Sequence, residues 1–426
     1  MEVNRMKKLT SIASALVVMT AFGITTLGSY AVAAPDFAKI EARKNQKSQA
    51  VGEKVGKAIG KAYELYGQEK LTEAIAALNG VESSNTFDQA YLNRFLGNMW
   101  AAKDEKKAIG YLQKAIAPDV LSFTDHAAAL RLLADLQLSD KQFNPAIKTY
   151  NQWLDFTGEK DANVYLRVAS AYMETKQYTK VIEPADLAIA AQDPTKPNAG
   201  PYTLKFSAYY ELKNNKKAIE VLETTVKLFP SEKRWWTYLA QFYSLEEQYE
   251  KALVTLEVAN KQGMLETENE YKLLAQLYAN ANVPYKAASI LEKHVKSGLI
   301  KKEKNILNSM ASSFQNSRDM VKAAQYYGES AKLDNDGDAY RRQGSSLILA
   351  EKYADAVTAL NNAINAGVKN QGQVYLSLVE AYFYQNKFRD AYQAVQKVKS
   401  DAKLGRQAAA WESYIKERAS KKGINL

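Results

Sequence analysis

A small residue returns about every 35 positions along most of this chain, and that recurrence limits the fold more than any other feature. Ala74, Ala108, Ala146, Val181, Ala218, Ala252, Ala287, Ala323, Ala356 and Ala391 mostly follow a charged residue and precede an apolar one. They stand at intervals of 34, 38, 35, 37, 34, 35, 36, 33 and 35. Self-similarity at such a period marks one supersecondary unit stacked on copies of itself. Around each small residue the large apolar ones fall at spacings of three and four, which is one face of an α-helix. Small residues on that face let paired helices approach closely. A pair of this size buries too little alone, so stacking on its neighbours stabilises it. The expected fold is all-α, with about ten helix pairs over residues 55–403. The chain uses Tyr 27 times, which suits rings that fill interhelical gaps while keeping one polar edge.

The copies share more than the small residue. In the clearest one Trp236, Leu239, Ala240 and Tyr243 mark a first helix, and Tyr249, Ala252, Leu256 and Ala259 a second. The pattern returns as Tyr271, Leu274, Ala275, Tyr278, Ala287 and Leu291, and as Tyr340, Gly344, Leu347, Tyr353, Ala356, Leu360 and Ala363. It also appears as Tyr165, Ala169, Tyr172, Tyr178 and Ala188, while Pro194 and Pro230 stand near repeat ends. This resembles the tetratricopeptide repeat (TPR), whose period is about 34. The resemblance implies a right-handed superhelical solenoid. Val181 departs from the small-residue pattern, Pro284 stands where other copies hold an aromatic, and His294 fills a slot that is Ala259 or Ala363 elsewhere. Wider local spacing is expected at His294.

The ends of the chain read differently. Arg5, Lys7 and Lys8 precede an apolar stretch from Leu9 to Leu27, and Ala31-Val32-Ala33 offers a small-x-small cleavage pattern. Residues 1–33 therefore read as a signal peptide cut after Ala33, leaving 393 residues in an exported, periplasmic compartment. Retained, the stretch is just long enough to span a bilayer. Residues 34–54 form a basic N-terminal extension, and 404–426 a capping helix and basic tail with Leu404, Ala408, Trp411, Tyr414 and Ile415 apolar. Positive charge gathers at both ends, a net +5 over Lys39–Lys61 and +5 over Gln396–Leu426. Nucleic-acid binders carry such charge on the folded body, so no nucleic acid is expected. Gly52, Gly56 and Gly60 recur at spacing four, which reads as a smooth helical face packed closely on a neighbour.

Catalytic chemistry finds little to use. With no cysteine and two histidines, there is no thiolate site, disulfide or multi-histidine metal centre to build. His126 and His294 read as structural. No phosphate-binding glycine loop or H-E-x-x-H is present. Asp334-Asn335-Asp336-Gly337-Asp338 lacks the closing Glu of a calcium loop and reads as a polar turn with its cap at Asp338. No enzyme activity, metal or cofactor is expected.

What remains is binding, and the TPR resemblance implies a groove lined by first-helix positions. Carried onto this chain, that selects Lys272, Gln276 and Asn280 in the seventh copy. The eighth contributes Asn305, Asn308, Ser312 and Gln315, and the ninth Arg341 and Ser345. Amides carry both donor and acceptor, which suits an extended peptide backbone, and Lys272 or Arg341 can meet a carboxylate. The family's Lys/Asn clamp for chaperone tails is missing. Near the N-terminus, Arg43-Lys44-x-Gln46, Val51-Gly52-x-x-Val55-Gly56-Lys57 and Ala62-Tyr63-Glu64-Leu65-Tyr66 precede the array. This is similar to periplasmic TPR proteins encoded beside TonB-ExbB-ExbD energy-transduction systems. The similarity implies an accessory of TonB-dependent iron uptake, with Arg43, Lys44 and Lys47 docking on TonB, ExbB or ExbD components. The alternative is a scaffold for cell-envelope assembly or polysaccharide export, and the least favoured is an envelope enzyme.

Overall fold

The computed structural model describes residues 36–46 and 49–426, which form two compact units. The signal-peptide reading of residues 1–33 and the docking residue Lys47 lie outside the described residues.

The unit ending at Lys160 holds α1 (Phe37–Lys44), α2 (Glu53–Gly67), α3 (Leu71–Leu78), α4 (Thr86–Trp100), α5 (Glu105–Ile116), α6 (Phe123–Ser139) and α7 (Phe143–Thr157). The unit Asp161–Leu426 begins with α8 (Ala162–Glu174), a short 3-10 turn Tyr178–Val181 and α9 (Ile182–Ala191). It continues with α10 (Ala199–Glu211), α11 (Asn215–Leu228), α12 (Lys233–Leu245), α13 (Tyr249–Lys261), α14 (Glu268–Asn280), α15 (Pro284–Lys296), α16 (Lys304–Asn316), α17 (Met320–Asp334), α18 (Gly337–Leu349), α19 (Tyr353–Asn365), α20 (Gln371–Tyr384), α21 (Phe388–Gln396) and α22 (Gly405–Lys421). Both units are TPR-like helical repeats without strands among the described residues. In the first, α2/α3, α4/α5 and α6/α7 pair, and in the second the pairs run from α8/α9 to α20/α21.

The ten recurring small residues all sit in the second helix of a pair or the turn leading into it, each at most 1% exposed. In two pairs the facing first helix is small as well. At Gly344 in α18 a Cβ would come within 2.6 Å of Leu360 in α19, and at Gly97 in α4 it would come within 2.6 Å of Leu112 in α5. Helices this close leave no room for side-chain bulk at the crossing. The turns are equally regular. In nine copies the residue five before the small one is left-handed: Glu69, Lys141, Lys176, Lys213, Glu247, Asn282, Arg318, Glu351 and Asn386. Its successor donates to a carbonyl five residues back, as Gln248 N to Tyr243 O at 2.8 Å and Lys352 N to Leu347 O at 2.8 Å. This is the Schellman closure, here made without glycine. The second copy turns instead through Asp104 N to Trp100 O at 2.7 Å and an Asp104 cap.

Several details differ from the sequence expectation. Of the tryptophan pair, Trp235 is the ring sunk in the core, while half-buried Trp236 donates Nε1 to Pro230 O at 2.9 Å. His294 stacks on Tyr271 with centroids 3.6 Å apart, so the slot takes a flat ring. The cap before α18 is Asp336, whose carboxylate accepts from Asp338 N and Ala339 N, so Asp338 sits in the first turn of the helix instead of capping it. Lys304 bridges two carboxylates of that turn, 2.6 Å from Asp334 and 2.7 Å from Asp336. Gly52 does make a close approach, its N–H 2.9 Å from Asp88 Oδ1, but a Cβ at Gly56 or Gly60 would meet nothing within 4 Å. Those two glycines face open space, and no neighbour packs on them. In α22 the buried row includes Glu412, which the apolar pattern omits, and Tyr414 stays 40% exposed while stacking on Phe383. Glu412 lies 2.8 Å from both Lys399 and Lys416, whose hydrogen bonds hold its carboxyl down at about 2.

Candidate protein-interaction surface

The nine sequence-selected residues occupy α14, α16 and α18, the first helices of repeats seven, eight and nine. Within each helix they recur at steps of three or four, so they share a face, and none of them is buried. Four already have local partners. Lys272 lies 2.5 Å from Glu268, whose carboxyl that hydrogen bond holds below its usual range. Arg341 Nε lies 3.3 Å from Asp338, Asn305 Oδ1 accepts from Ile306 N at 2.8 Å, and Gln315 Oε1 accepts the Tyr327 hydroxyl at 3.0 Å. The expected free cations are therefore paired within their own helices. Solvent screens such surface pairs, so a ligand carboxylate can exchange into them.

Gln276, Asn280, Asn308, Ser312 and Ser345 make no side-chain hydrogen bond within the described residues. Unpaired amides and hydroxyls on successive first helices can bind the N–H and C=O groups of an extended segment. Among the described residues, no group of three His, Asp or Glu side chains is placed to hold a metal, and no helix is long and apolar enough to cross a membrane.

The structure also shows a cleft that the sequence pattern missed. About 410 Å³ opens between α17 and α19 over α18, lined by Gln325, Lys332, Tyr340, Gln343, Lys352 and Asn362 among others. Its one sequence signal is Gly328, a glycine inside α17, where a Cβ would meet Gln343 Nε2 at 2.3 Å.

The N-terminal docking residues have a different setting. Arg43 forms an ion pair with Asp119 and lies with Cζ 4.7 Å above the Phe156 ring, and Lys44 Nζ lies 5.5 Å from the Phe123 ring. The segment expected to be a free basic extension is thus the helix α1, seated on its own unit with Ile40 buried. The physical reason lies on one side of the helix, where Ile40 seats against Gly158 and Arg43 meets Phe156 and Asp119, while Phe37 beside them stays 64% exposed. Beneath them lies His126, which is only 6% exposed. Burial pushes its imidazole below the ordinary range, Asp119 partly opposes this, and Arg43 adds to it.

Residues 163–326 match the family described as ChAPs (Chs5p-Arf1p-binding proteins), a stretch of 164 residues in a chain of 426. No curated protein matches the chain. Among solved structures, a tetratricopeptide repeat protein from Parabacteroides merdae is similar at 15% identity and TM-score 0.35, over 62% of this chain and 100% of that one. The TPR2AB domain of yeast Sti1 in complex with pHSP90 is similar at 18% identity and TM-score 0.34, over 60% and 98%. YrrB, described as a TPR protein with an unusual peptide-binding site, is similar at 17% identity and TM-score 0.35, over 49% and 97%.

Proposed function

We propose that this protein is a non-catalytic scaffold that binds an extended segment of a protein partner along the first-helix face of repeats seven to nine. A fold of this class hosts many functions, so the reading rests on the site. The observation that carries it is the run of unpaired amides and hydroxyls at Gln276, Asn280, Asn308, Ser312 and Ser345, flanked by the exchangeable cations Lys272 and Arg341. The likeness of residues 163–326 to a family named for binding proteins points the same way.

The setting we propose is the periplasm, beside a TonB-ExbB-ExbD system in iron uptake. Its support is the leader pattern in residues 1–33 and the residue run from Arg43 to Tyr66. N-terminal sequencing of the native protein should find Ala34 first; an intact Met1 form in inner membranes counts against export as a soluble protein. A deletion strain should grow poorly on a TonB-dependent iron source, and the wild-type gene should restore growth. Asn305→Ala, Asn308→Ala and Ser312→Ala together should not restore it, with the circular dichroism spectrum unchanged. Normal growth of the deletion strain, with no crosslink to TonB, ExbB or ExbD, removes the iron-uptake setting. Full rescue by the triple variant removes the first-helix face.

A further inference from the structure

The seat under α1 has the build of a recognition site. Phe123 and Phe156 stack with centroids 5.1 Å apart and 18° between planes, and His126 stacks on Phe156 at 4.6 Å and 19°. Three rings from α6 and α7 thus make one continuous ledge. Asp119 stands at its edge, so a guanidinium on the ledge gains both a ring face beneath it and a carboxylate beside it. Gly158 closes α7 in the left-handed region at φ 67°, and a Cβ there would lie 2.9 Å from Ile40 Cδ1. The missing side chain leaves the hollow that Ile40 fills.

The resident helix fits this seat incompletely. Ile40 is the one buried residue of α1. His126 Nδ1, inside the seat, has no hydrogen-bond partner and lies 3.6 Å from Asp119 Oδ1, beyond bonding distance. A helix of eight residues does not hold its shape in water alone, so α1 is helical only while seated. Segments with so few buried contacts open at low free-energy cost. Helix α1 precedes α2 by only eight residues in the sequence, so it stays close to the seat whenever it leaves.

We propose that the ledge of Phe123, His126 and Phe156 with Asp119 and Gly158 is a binding site for a helical segment of a protein partner. The segment carries an apolar residue and, three positions later, an arginine. Helix α1, with Ile40 and Arg43, is the occupant that this partner displaces. The chemistry is read from the occupant: the apolar residue enters the Gly158 hollow, the guanidinium covers Phe156 and pairs with Asp119, and a polar group on the incoming helix meets His126 Nδ1. This site is separate from the first-helix face of repeats seven to nine, and variants there leave it untouched.

The test uses the full chain and a fluorescent peptide of residues 36–46, Asp36 to Gln46. Ile40→Asp with Arg43→Glu vacates the seat. Apparent affinity falls by the fraction of molecules whose seat is open, so the vacated chain should bind the peptide at least about tenfold more tightly than the parent. Asp119→Asn, at an exposed position, and Phe156→Ala should each remove most of that binding when added to the vacated chain. Equal affinity in parent and vacated chain overturns the proposal, as does binding that survives Asp119→Asn and Phe156→Ala. Loss of hydrogen-exchange protection throughout α6 and α7 in the vacated chain also overturns it, because α1 is then part of the core and not a displaceable occupant.

Discussion

Replacing Glu292 by Gln should weaken the contact between repeats seven and eight by an amount that disappears in acid. The carboxylate projects from α15 with its side chain 12% exposed. It accepts Lys322 Nζ at 2.8 Å and the Tyr326 hydroxyl at 2.7 Å from α17, and Lys296 Nζ at 2.9 Å from its own helix. Burial pushes this carboxyl up, but the hydrogen bonds from Lys322, Tyr326 and Lys296 outweigh it and hold the group down at about 2, from an ordinary 4.5. A gap of that size corresponds to about 3 kcal/mol favouring the charged form in the folded chain. Lys322 and Lys296 are 34% and 68% exposed, so solvent screens part of it, and about 2 kcal/mol is the expected loss at pH 7. The sign follows from the lowered folded value. The contribution is complete above about 4.5, falls as pH drops from 4.5 toward 2, and is gone below that. Urea unfolding by circular dichroism gives the global value. Exchange protection in α15–α17 gives the local one, which matters because repeat arrays do not always unfold as a unit. The parent and variant should differ by about 2 kcal/mol at pH 7 and by less than half that at pH 3. A gap of the same size at both pH values, or no gap at pH 7, refutes the reasoning.

Three further perturbations test the repeat geometry and the N-terminal seat. Ala356→Trp should overfill the contact of α19 with Gly344 and cost about 1–3 kcal/mol or more, with exchange protection falling in α18 and α20 as well; a melt superimposable on the parent sinks the register. Glu351→Gly should raise stability by up to about 1 kcal/mol, because Glu351 is exposed and left-handed at φ 57°, where glycine carries no Cβ strain; a destabilised variant in urea titration counts against the turn assignment. His126, lowered chiefly by burial, should make the seat of α1 weaken as pH falls below about 6.5, since the open form takes up the proton more readily; His126→Phe should flatten that dependence in exchange data for α1, and an unchanged profile refutes it.

The repeat, its register and the small residue at each helix crossing were legible in the sequence because they answer to burial within about 35 residues. Ala252 or Ala356 must be small wherever its own pair crosses, so the constraint writes itself at every copy. The polar face of α14, α16 and α18 was legible for the same reason, since residues left out of the core fall on predictable helical steps. Other features required the packed chain. Nothing in Glu69, Lys213 or Glu351 marks a left-handed turn, because a Schellman closure fixes the conformation by position and tolerates side chains that glycine would spare. Arg43 and Lys44 read as docking residues of a basic extension, and only the packed chain showed α1 meeting Asp119, Phe123 and Phe156; Arg43 and Asp119 lie 76 positions apart. Glu292 gained its partners Lys322 and Tyr326 one repeat away. Periodicity records which residues must leave water, whereas the pairing of one polar group with another depends on how successive helices lie against each other, and that is decided only when they pack.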